Sequence, residues 1–123
     1  MTNKNLYKLL LVDDDQIIRM IYQHTFEKYF DTIVASSGEE ALELLMDQRF
    51  DAILTDINMP EMCGIELTKK IRCLTTANSQ ALIMGVTANA EMYRDEAVAA
   101  GMSVVFAKPV IIKEIQNYLN KVF

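Results

Sequence analysis

The sequence predicts an α/β fold: a doubly wound five-stranded parallel sheet in the order 2-1-3-4-5, with five helices on its two faces. Short apolar runs alternate five times with longer segments whose apolar residues recur at helical spacing. Strands that alternate with helices in this way favour a parallel sheet with right-handed crossovers. A chain of 123 residues holds five such units in an open sheet, whereas a barrel needs about twice that length.

The first two strand–helix units are predicted within residues 6–48. Residues 6–12 are nearly all apolar, which is typical of a strand buried on both faces. Asp14 or Asp15 can cap the helix that follows. The apolar residues of this helix recur at helical spacing and are Ile17, Ile18, Ile21, Tyr22, Phe26 and Tyr29. Residues 32–35 read as a β-branched strand, and a serine cap followed by acidic residues predicts a second helix over 36–48.

Three further units complete the alternation. The remaining strands are predicted at residues 51–55, 81–86 and 103–106, and the remaining helices at 65–74, 89–100 and 111–122. Pro60 and Gly64 mark the loop between the third strand and its helix, and Gly101 ends the fourth helix. This flavodoxin-like arrangement binds ligands beyond the carboxyl ends of strands 1 and 3.

Composition excludes several classes of protein. We expect one domain over residues 1–123. The net charge of −5, without a basic stripe, argues against nucleic-acid binding by this chain. No apolar run approaches the roughly 20 residues that span a bilayer, and the polar start does not read as a signal peptide. Cys63 and Cys73 fit neither a disulfide framework nor a zinc site. These features predict a cytoplasmic protein without a membrane segment.

Polar residues stand where four of the predicted strands end. They are Asp13 and Asp14 after strand 1, Asp56 after strand 3, Thr87 after strand 4 and Lys108 just beyond strand 5. Each alone has an ordinary explanation as a cap, a turn or a strand former. Because the carboxyl ends of parallel strands meet at one edge, three carboxylates, a hydroxyl and an ammonium should share a cleft.

This set of groups is suited to phosphoryl transfer. Adjacent like charges disfavour each other's ionisation, so the acidic cluster calls for a cation, and carboxylate oxygens suit Mg²⁺. A lysine and a threonine hydroxyl can bind phosphoryl oxygens, while a carboxylate can act as the nucleophile and form an aspartyl phosphate. Asp13 and Asp14, side by side, are the better metal ligands. Asp56, alone on the central strand, is the better nucleophile.

Five motifs make the chain resemble a response-regulator receiver domain of two-component signalling, similar to chemotaxis regulators, over essentially its whole length. They are Leu11-Val12-Asp13-Asp14-Asp15, then Leu54-Thr55-Asp56-Ile57-Asn58-Met59-Pro60-Glu61-Met62-Cys63-Gly64, then Val86-Thr87-Ala88-Asn89-Ala90, then Ala100-Gly101-Met102, and Lys108-Pro109. Each motif is weak alone, but all five in order at the family's spacing are highly specific.

The resemblance implies that Asp56 accepts a phosphoryl group from a phosphohistidine on a histidine kinase or a histidine phosphotransfer protein. It also implies a Mg²⁺ or Mn²⁺ ion bound directly by Asp14 and Asp56. Asp13 would contribute mainly through water and Asn58 through its backbone carbonyl. Such a module is not a conventional enzyme, since it catalyses only its own phosphorylation and slow autodephosphorylation.

The resemblance further implies that Thr87 and Lys108 contact the phosphoryl oxygens and that the peptide before Pro109 is cis. Phosphorylation would then repack the face formed by helix 4, strand 5 and helix 5 for an unknown downstream protein. The chain departs from the family at Val105, where an aromatic switch residue is usual. Phe106 cannot replace it, because neighbouring side chains on a strand point to opposite faces.

Three other positions bear on how long the phosphoryl group lasts and on redox sensitivity. The resemblance implies that Asn58 and Asn89, two residues after the acceptor and the threonine, tune dephosphorylation. Their amides could position an attacking water, so we expect a label that hydrolyses on its own. Cys63 stands where the family commonly has an aspartate, and we interpret it as a neutral replacement rather than a reactive thiol.

Two alternative functions remain open. In a phosphatase of the haloacid-dehalogenase type, Asp13 would be the nucleophile, with Asp15 at the second position of an Asp-x-Asp motif. The glycine-threonine pair that should follow Asp15 is absent, however, and Asp56 would have no role. A degenerate receiver used only as a docking module would lack Asp14, Asp56 or Lys108, and all three are present.

Overall fold

The structure of the chain, a computed structural model, describes residues 7–123. Strands and helices alternate as predicted. In chain order the elements are β1 Lys8–Val12, α1 Gln16–Phe26, β2 Asp31–Ala35, α2 Gly38–Asp47, β3 Ala52–Asp56, α3 Gly64–Arg72, β4 Leu82–Thr87, α4 Ala90–Ala100, β5 Val104–Ala107 and α5 Ile112–Val122. A short 3₁₀ helix, Ala77–Gln80, lies in the loop predicted before β4. Leu6, the predicted start of the first strand, lies outside the described residues.

The five strands form one parallel sheet in the order β2-β1-β3-β4-β5, which confirms the predicted doubly wound topology. β1 lies between β2 and β3, with Leu10 in register with Ile33 on one side and Ile53 on the other. β3 continues the sheet to β4, where Asp56 is in register with Val86. The end of β3 is therefore flanked by the ends of β1 and β4.

Two hydrophobic clusters cover the two faces of the sheet. Alternate residues of β1 divide between them, since Leu9 and Leu11 face one cluster and Leu10 and Val12 the other. On the first face, α1 and α5 contribute side chains such as Tyr22 and Leu119. On the second face, α2, α3 and α4 do so. In the part of the chain from residue 7 onward, no helix is both long and apolar enough to cross a membrane.

Residues 13–15 form an acidic loop between β1 and α1, and contacts with α1 orient this loop. The Asp15 carboxylate caps the helix by accepting from the backbone N–H of Ile17 at 2.8 Å and of Ile18 at 3.3 Å. The Arg19 guanidinium reaches back to donate to the carbonyl of Asp13 at 2.7 Å. Only residues 13–15 separate β1 from α1, so the acidic loop has little freedom to move away from the strand end.

The apolar residues of α1 divide between a buried stripe and an exposed one. Tyr22 and Phe26 are buried, but Ile17 is 68% exposed and Ile21 is 49% exposed. Ile17 and Ile21 lie four residues apart, on a stripe about 100° around the helix from the buried one. Helical spacing alone therefore does not determine which of the apolar residues of α1 are buried. Two isoleucines stand in solvent near the acidic loop.

Candidate functional site

The carboxyl ends of β1, β3 and β5 open into one acidic cleft of about 550 Å³. It is lined by the loop after β1, the first turns of α1, the end of β3 with Asn58, and residues 108–110 and 112. The structure brings Asp13, Asp14, Asp56 and Lys108 together there, as the alternation of strands and helices predicts.

Asp56, the last residue of β3, is held between a backbone donor and an ammonium. Its side chain is only 4% exposed. One carboxylate oxygen accepts from the backbone N–H of Asn58 at 3.0 Å, and the other pairs with Lys108 Nζ at 3.0 Å. The Lys108–Pro109 peptide is cis, and the Lys108 N–H donates to the carbonyl of Thr87 at 2.9 Å. The charged partner of Asp56 is thus anchored to the neighbouring strand.

The loop after β3 folds back against the strand end at Gly64. The Gly64 N–H donates to the carbonyl of Ile57 at 2.9 Å. A Cβ at position 64 would overlap the backbone carbonyl oxygen of Asp56. The close approach requires glycine here because the clashing atom belongs to the backbone and cannot rotate away. Cys63 lies just before it, where its sulfur accepts from the Glu66 N–H at 3.5 Å as the cap of α3.

Asp13 is the most deeply buried of the three carboxylates. It is only 2% exposed, and one oxygen accepts from the backbone N–H of Asp15 at 2.8 Å. The other oxygen has no hydrogen-bond partner among residues 7–123. Burial, reinforced by the charges of Asp56 and Asp14, raises the pKa of Asp13 from 3.8 to about 6, although the Asp15 N–H and Lys108 act to lower it.

The three carboxylates could hold a cation by their geometry and by their charge. One oxygen each from Asp13, Asp14 and Asp56 lies within 4.8 Å of the other two. Lys108 neutralises only one of the three charges. Asp14 is exposed, and the unpartnered oxygen of Asp13 is free to accept from a metal-bound water. Hard oxygen donors with room for several waters fit Mg²⁺, which usually takes one or two carboxylates and keeps part of its hydration shell.

Thr87 does not point its hydroxyl at Asp56 but shares it with an amide. The buried Thr87 hydroxyl donates to Asn58 Oδ1 at 2.6 Å and accepts from the Asn89 N–H at 3.2 Å. Asn58 in turn donates from Nδ2 to the Tyr93 hydroxyl on α4 at 3.3 Å. A chain of hydrogen bonds therefore links the end of β4 to the surface of α4 through Asn58.

The switch position Val105 and its neighbour Phe106 lie on opposite faces of the sheet. Val105 is 6% exposed and packs in the cluster covered by α2, α3 and α4. Phe106 packs on the other face, edge-on to Tyr118 with ring centroids 6.0 Å apart. Phe106 is therefore on the wrong side of β5 to substitute for an aromatic residue at 105.

Sequence reasoning missed two tyrosines beside the site. The sequence pattern marks Tyr22 only as one of the regularly spaced apolar residues of α1, yet it lines the acidic cleft. No sequence pattern connects Tyr93 with Asn58, which lies 35 residues away in the chain. Nothing in the spacing marks either residue, since both occupy ordinary helical positions.

Comparison with known proteins gives consistent results. A family profile described as the response regulator receiver domain matches residues 9–120. The sensor protein EvgS of Escherichia coli K12 is 32% identical over 115 residues, which are 92% of this chain and 9% of EvgS. Sporulation initiation phosphotransferase F of Bacillus subtilis is 33% identical over 115 residues, which are 93% of this chain and 91% of that protein.

A solved structure shows the same fold with a metal in its cleft. The receiver domain of the sensor histidine kinase PA1611 from Pseudomonas aeruginosa PAO1 has a magnesium ion coordinated in the active-site cleft. It matches with a TM-score of 0.84 and 28% identity, over 94% of this chain and 96% of that one. Among the relatives named above, the chain spans under a tenth of the length of the sensor protein EvgS but most of the length of the sporulation phosphotransferase.

Proposed function

Because the chain belongs to the response regulator receiver family, we propose that it accepts a phosphoryl group on Asp56 from a phosphohistidine of a partner protein. The observation that carries the proposal is the setting of Asp56, buried at the end of the central strand with Lys108 Nζ 3.0 Å from its carboxylate. In the transfer, an oxygen of Asp56 forms a bond to phosphorus. The P–N bond to the histidine breaks, and the imidazole nitrogen keeps its electron pair.

The residues around Asp56 would act by alignment and by charge compensation. The ammonium of Lys108 would balance the negative charge of the phosphoryl oxygens. This attraction is stronger in a partly buried site than in water. Asp13, Asp14 and Asp56 would hold Mg²⁺, with the backbone carbonyl of Asn58 as a further ligand. When bound, the cation neutralises charge on the phosphoryl oxygens and helps to orient them.

The rim of the cleft favours a protein as the phosphoryl donor. Ile21 on α1 is half-exposed and lines the cleft. Val110, just before α5, and Ile112, its first residue, line the cleft as well. Ile17 adds a second exposed side chain on the same stripe of α1. An apolar rim around a charged site is suited to a domain that presents its phosphohistidine from a helical surface. We propose that a histidine kinase or phosphotransfer domain docks there.

The signal would leave the site through Thr87. A phosphoryl oxygen bears more negative charge than the amide oxygen of Asn58 and is the stronger acceptor for the Thr87 hydroxyl. We infer that phosphorylation draws the Thr87 hydroxyl from Asn58 to the phosphoryl group. Asn58 would then rearrange its bond to Tyr93 on α4. Because Val105 has no aromatic ring, this path takes the place of an aromatic readout on β5 in changing the face formed by α4, β5 and α5.

Replacing Tyr93 with phenylalanine tests this path. The Tyr93→Phe variant should label at a rate within about threefold of wild type, since it lacks one hydrogen bond remote from the reacting atoms. Beryllofluoride with Mg²⁺, a mimic of the phosphoryl group, should shift the amide resonances of α4 less than in wild type. Tyr118→Phe, which removes a hydroxyl from α5, serves as the control. Equal α4 shifts in all three proteins would refute the path through Tyr93.

The proposed function is tested by locating the label. Incubation with acetyl phosphate and Mg²⁺ should add the mass of one phosphoryl group, and the Asp56→Asn variant should add none. In Asp13→Asn, labelling should slow, but any adduct should still map to Asp56. Steady turnover of the donor that only Asp13→Asn abolishes would instead favour the haloacid-dehalogenase alternative. No adduct with acetyl phosphate or with a phosphorylated histidine protein would favour a docking module.

A further inference from the structure

Two buried polar atoms of the acidic cleft lack hydrogen-bond partners in the described chain, the Tyr22 hydroxyl and one carboxylate oxygen of Asp13. Tyr22 is 3% exposed and Asp13 is 2% exposed, so bulk solvent does not satisfy either group freely. Burial of an unpaired polar group is costly, and folded proteins nearly always provide a partner for it. Both residues line the same cleft. What completes their hydrogen bonding should therefore be a component of that cleft.

Packing does not explain the hydroxyl of Tyr22. Its ring belongs to the cluster beneath α1, tilted at 55° against Phe26 with centroids 6.2 Å apart. Phenylalanine would make the same ring contacts without burying an oxygen. Tyr22 lines the same cleft as Asp13 and Asp56. Burial, together with the negative charges of these two carboxylates, raises the pKa of the Tyr22 phenol. The group at the cleft is thus a neutral hydroxyl that both donates and accepts.

We propose that Tyr22 is a positioning residue for the hydrated cation, holding through its hydroxyl a metal-bound water that also faces Asp13. Metal-bound waters are good donors because the cation polarises their O–H bonds, and the phenol oxygen and the free Asp13 oxygen can both accept. Tyr22 would thus be a second hydrogen-bond partner, besides the carboxylates, that orients the hydration shell of the cation. This inference rests on the cation site of the proposed function.

Tyr22→Phe separates this role from simple packing. The variant keeps the ring and removes only the oxygen, so the metal-free protein should be as stable as wild type or more stable. Its dissociation constant for Mg²⁺, measured by calorimetric titration well below the melting temperature, should rise by roughly threefold to tenfold, as expected for one lost hydrogen bond. Tyr29→Phe is the matched control, because Tyr29 is 54% exposed and does not line the cleft.

Mg²⁺-induced tyrosine difference absorbance supplies a second measurement that a packing role would not affect. Titration of wild type and of Tyr29→Phe should perturb a phenol, and most of that signal should vanish in Tyr22→Phe. Equal Mg²⁺ affinities for wild type and Tyr22→Phe, within about twofold, would overturn the proposal. Failure of the proposed function would look different: Asp56 would not label in wild type, whereas these titrations use the metal alone and no phosphoryl donor.

Discussion

Replacing Lys108 with glutamine is expected to slow the labelling of Asp56 by on the order of 10²–10³-fold, the usual cost of losing one preorganised electrostatic partner of the transferring group. Lys108 is the cation paired with Asp56, at 3.0 Å. Without it, an incoming phosphoryl group would meet three carboxylates and only the metal to offset them. The initial rate of adduct formation with acetyl phosphate and saturating Mg²⁺, followed by intact-protein mass spectrometry, measures the effect.

Two variants sharpen this experiment. Lys113→Gln removes the same charge from an exposed position on α5 and should label at close to the wild-type rate. Lys108→Arg keeps the charge but replaces a compact ammonium with a planar fork, so its rate should fall between those of wild type and Lys108→Gln. Labelling of Lys108→Gln at more than half the wild-type rate would remove Lys108 from the chemistry.

The parts of the site that could be predicted from sequence are those fixed by topology. Once five strand–helix units are recognised, the parallel sheet brings the ends of all its strands to one edge. Asp13, Asp56 and Lys108 could therefore be placed together without any knowledge of side-chain conformation. Alternation along β5 likewise predicts that Phe106 faces away from Val105, and the structure confirms it.

The parts that could not be predicted depend on how individual side chains pack. Whether Ile17 is buried depends on the rotation of α1 about its own axis as it packs on the sheet. Because α1 has apolar residues on two adjacent stripes, its sequence does not determine this rotation. The contact of Asn58 with Tyr93 joins residues from a loop and a helix whose relative placement no local pattern encodes. Tyr22 reads as apolar in any hydropathy pattern, because its polar atom is only the tip of a hydrophobic ring.

The clustered negative charges that suit the site to a cation lower the stability of the fold when no cation is bound. The Asp15 N–H and the Lys108 ammonium only partly compensate a carboxylate as deeply buried as Asp13, and its second oxygen has no partner in the described chain. Functional groups of this kind commonly reduce the stability of the protein that carries them. Removing the buried charge should therefore stabilise the metal-free fold.

Asp13→Asn is accordingly expected to raise the free energy of unfolding of the metal-free protein at pH 7.5 by about 1–3 kcal/mol. The pKa of Asp13 is about 6 in the folded protein against 3.8 for an ordinary aspartate. Between these values the folded state holds more protons than the unfolded chain, so this group lowers stability as pH rises from about 4 to above 6. Urea titrations in chelator across that range should show the decline in wild type and a smaller one in the variant.

The Asp14→Asn variant is the control that separates the effect of removing a buried charge from the effect of removing any charge in the cluster. Asp14 is the exposed neighbour of Asp13, so its replacement should change the stability of the metal-free protein by less than about 0.5 kcal/mol. Both variants should nevertheless bind Mg²⁺ more weakly, because each removes a carboxylate from the cluster. If Asp13→Asn were no more stable than Asp14→Asn in chelator, burial of the Asp13 charge would not be what lowers the stability of the metal-free protein. If Asp14→Asn kept the wild-type affinity for Mg²⁺, the assignment of Asp14 as a direct ligand would be wrong.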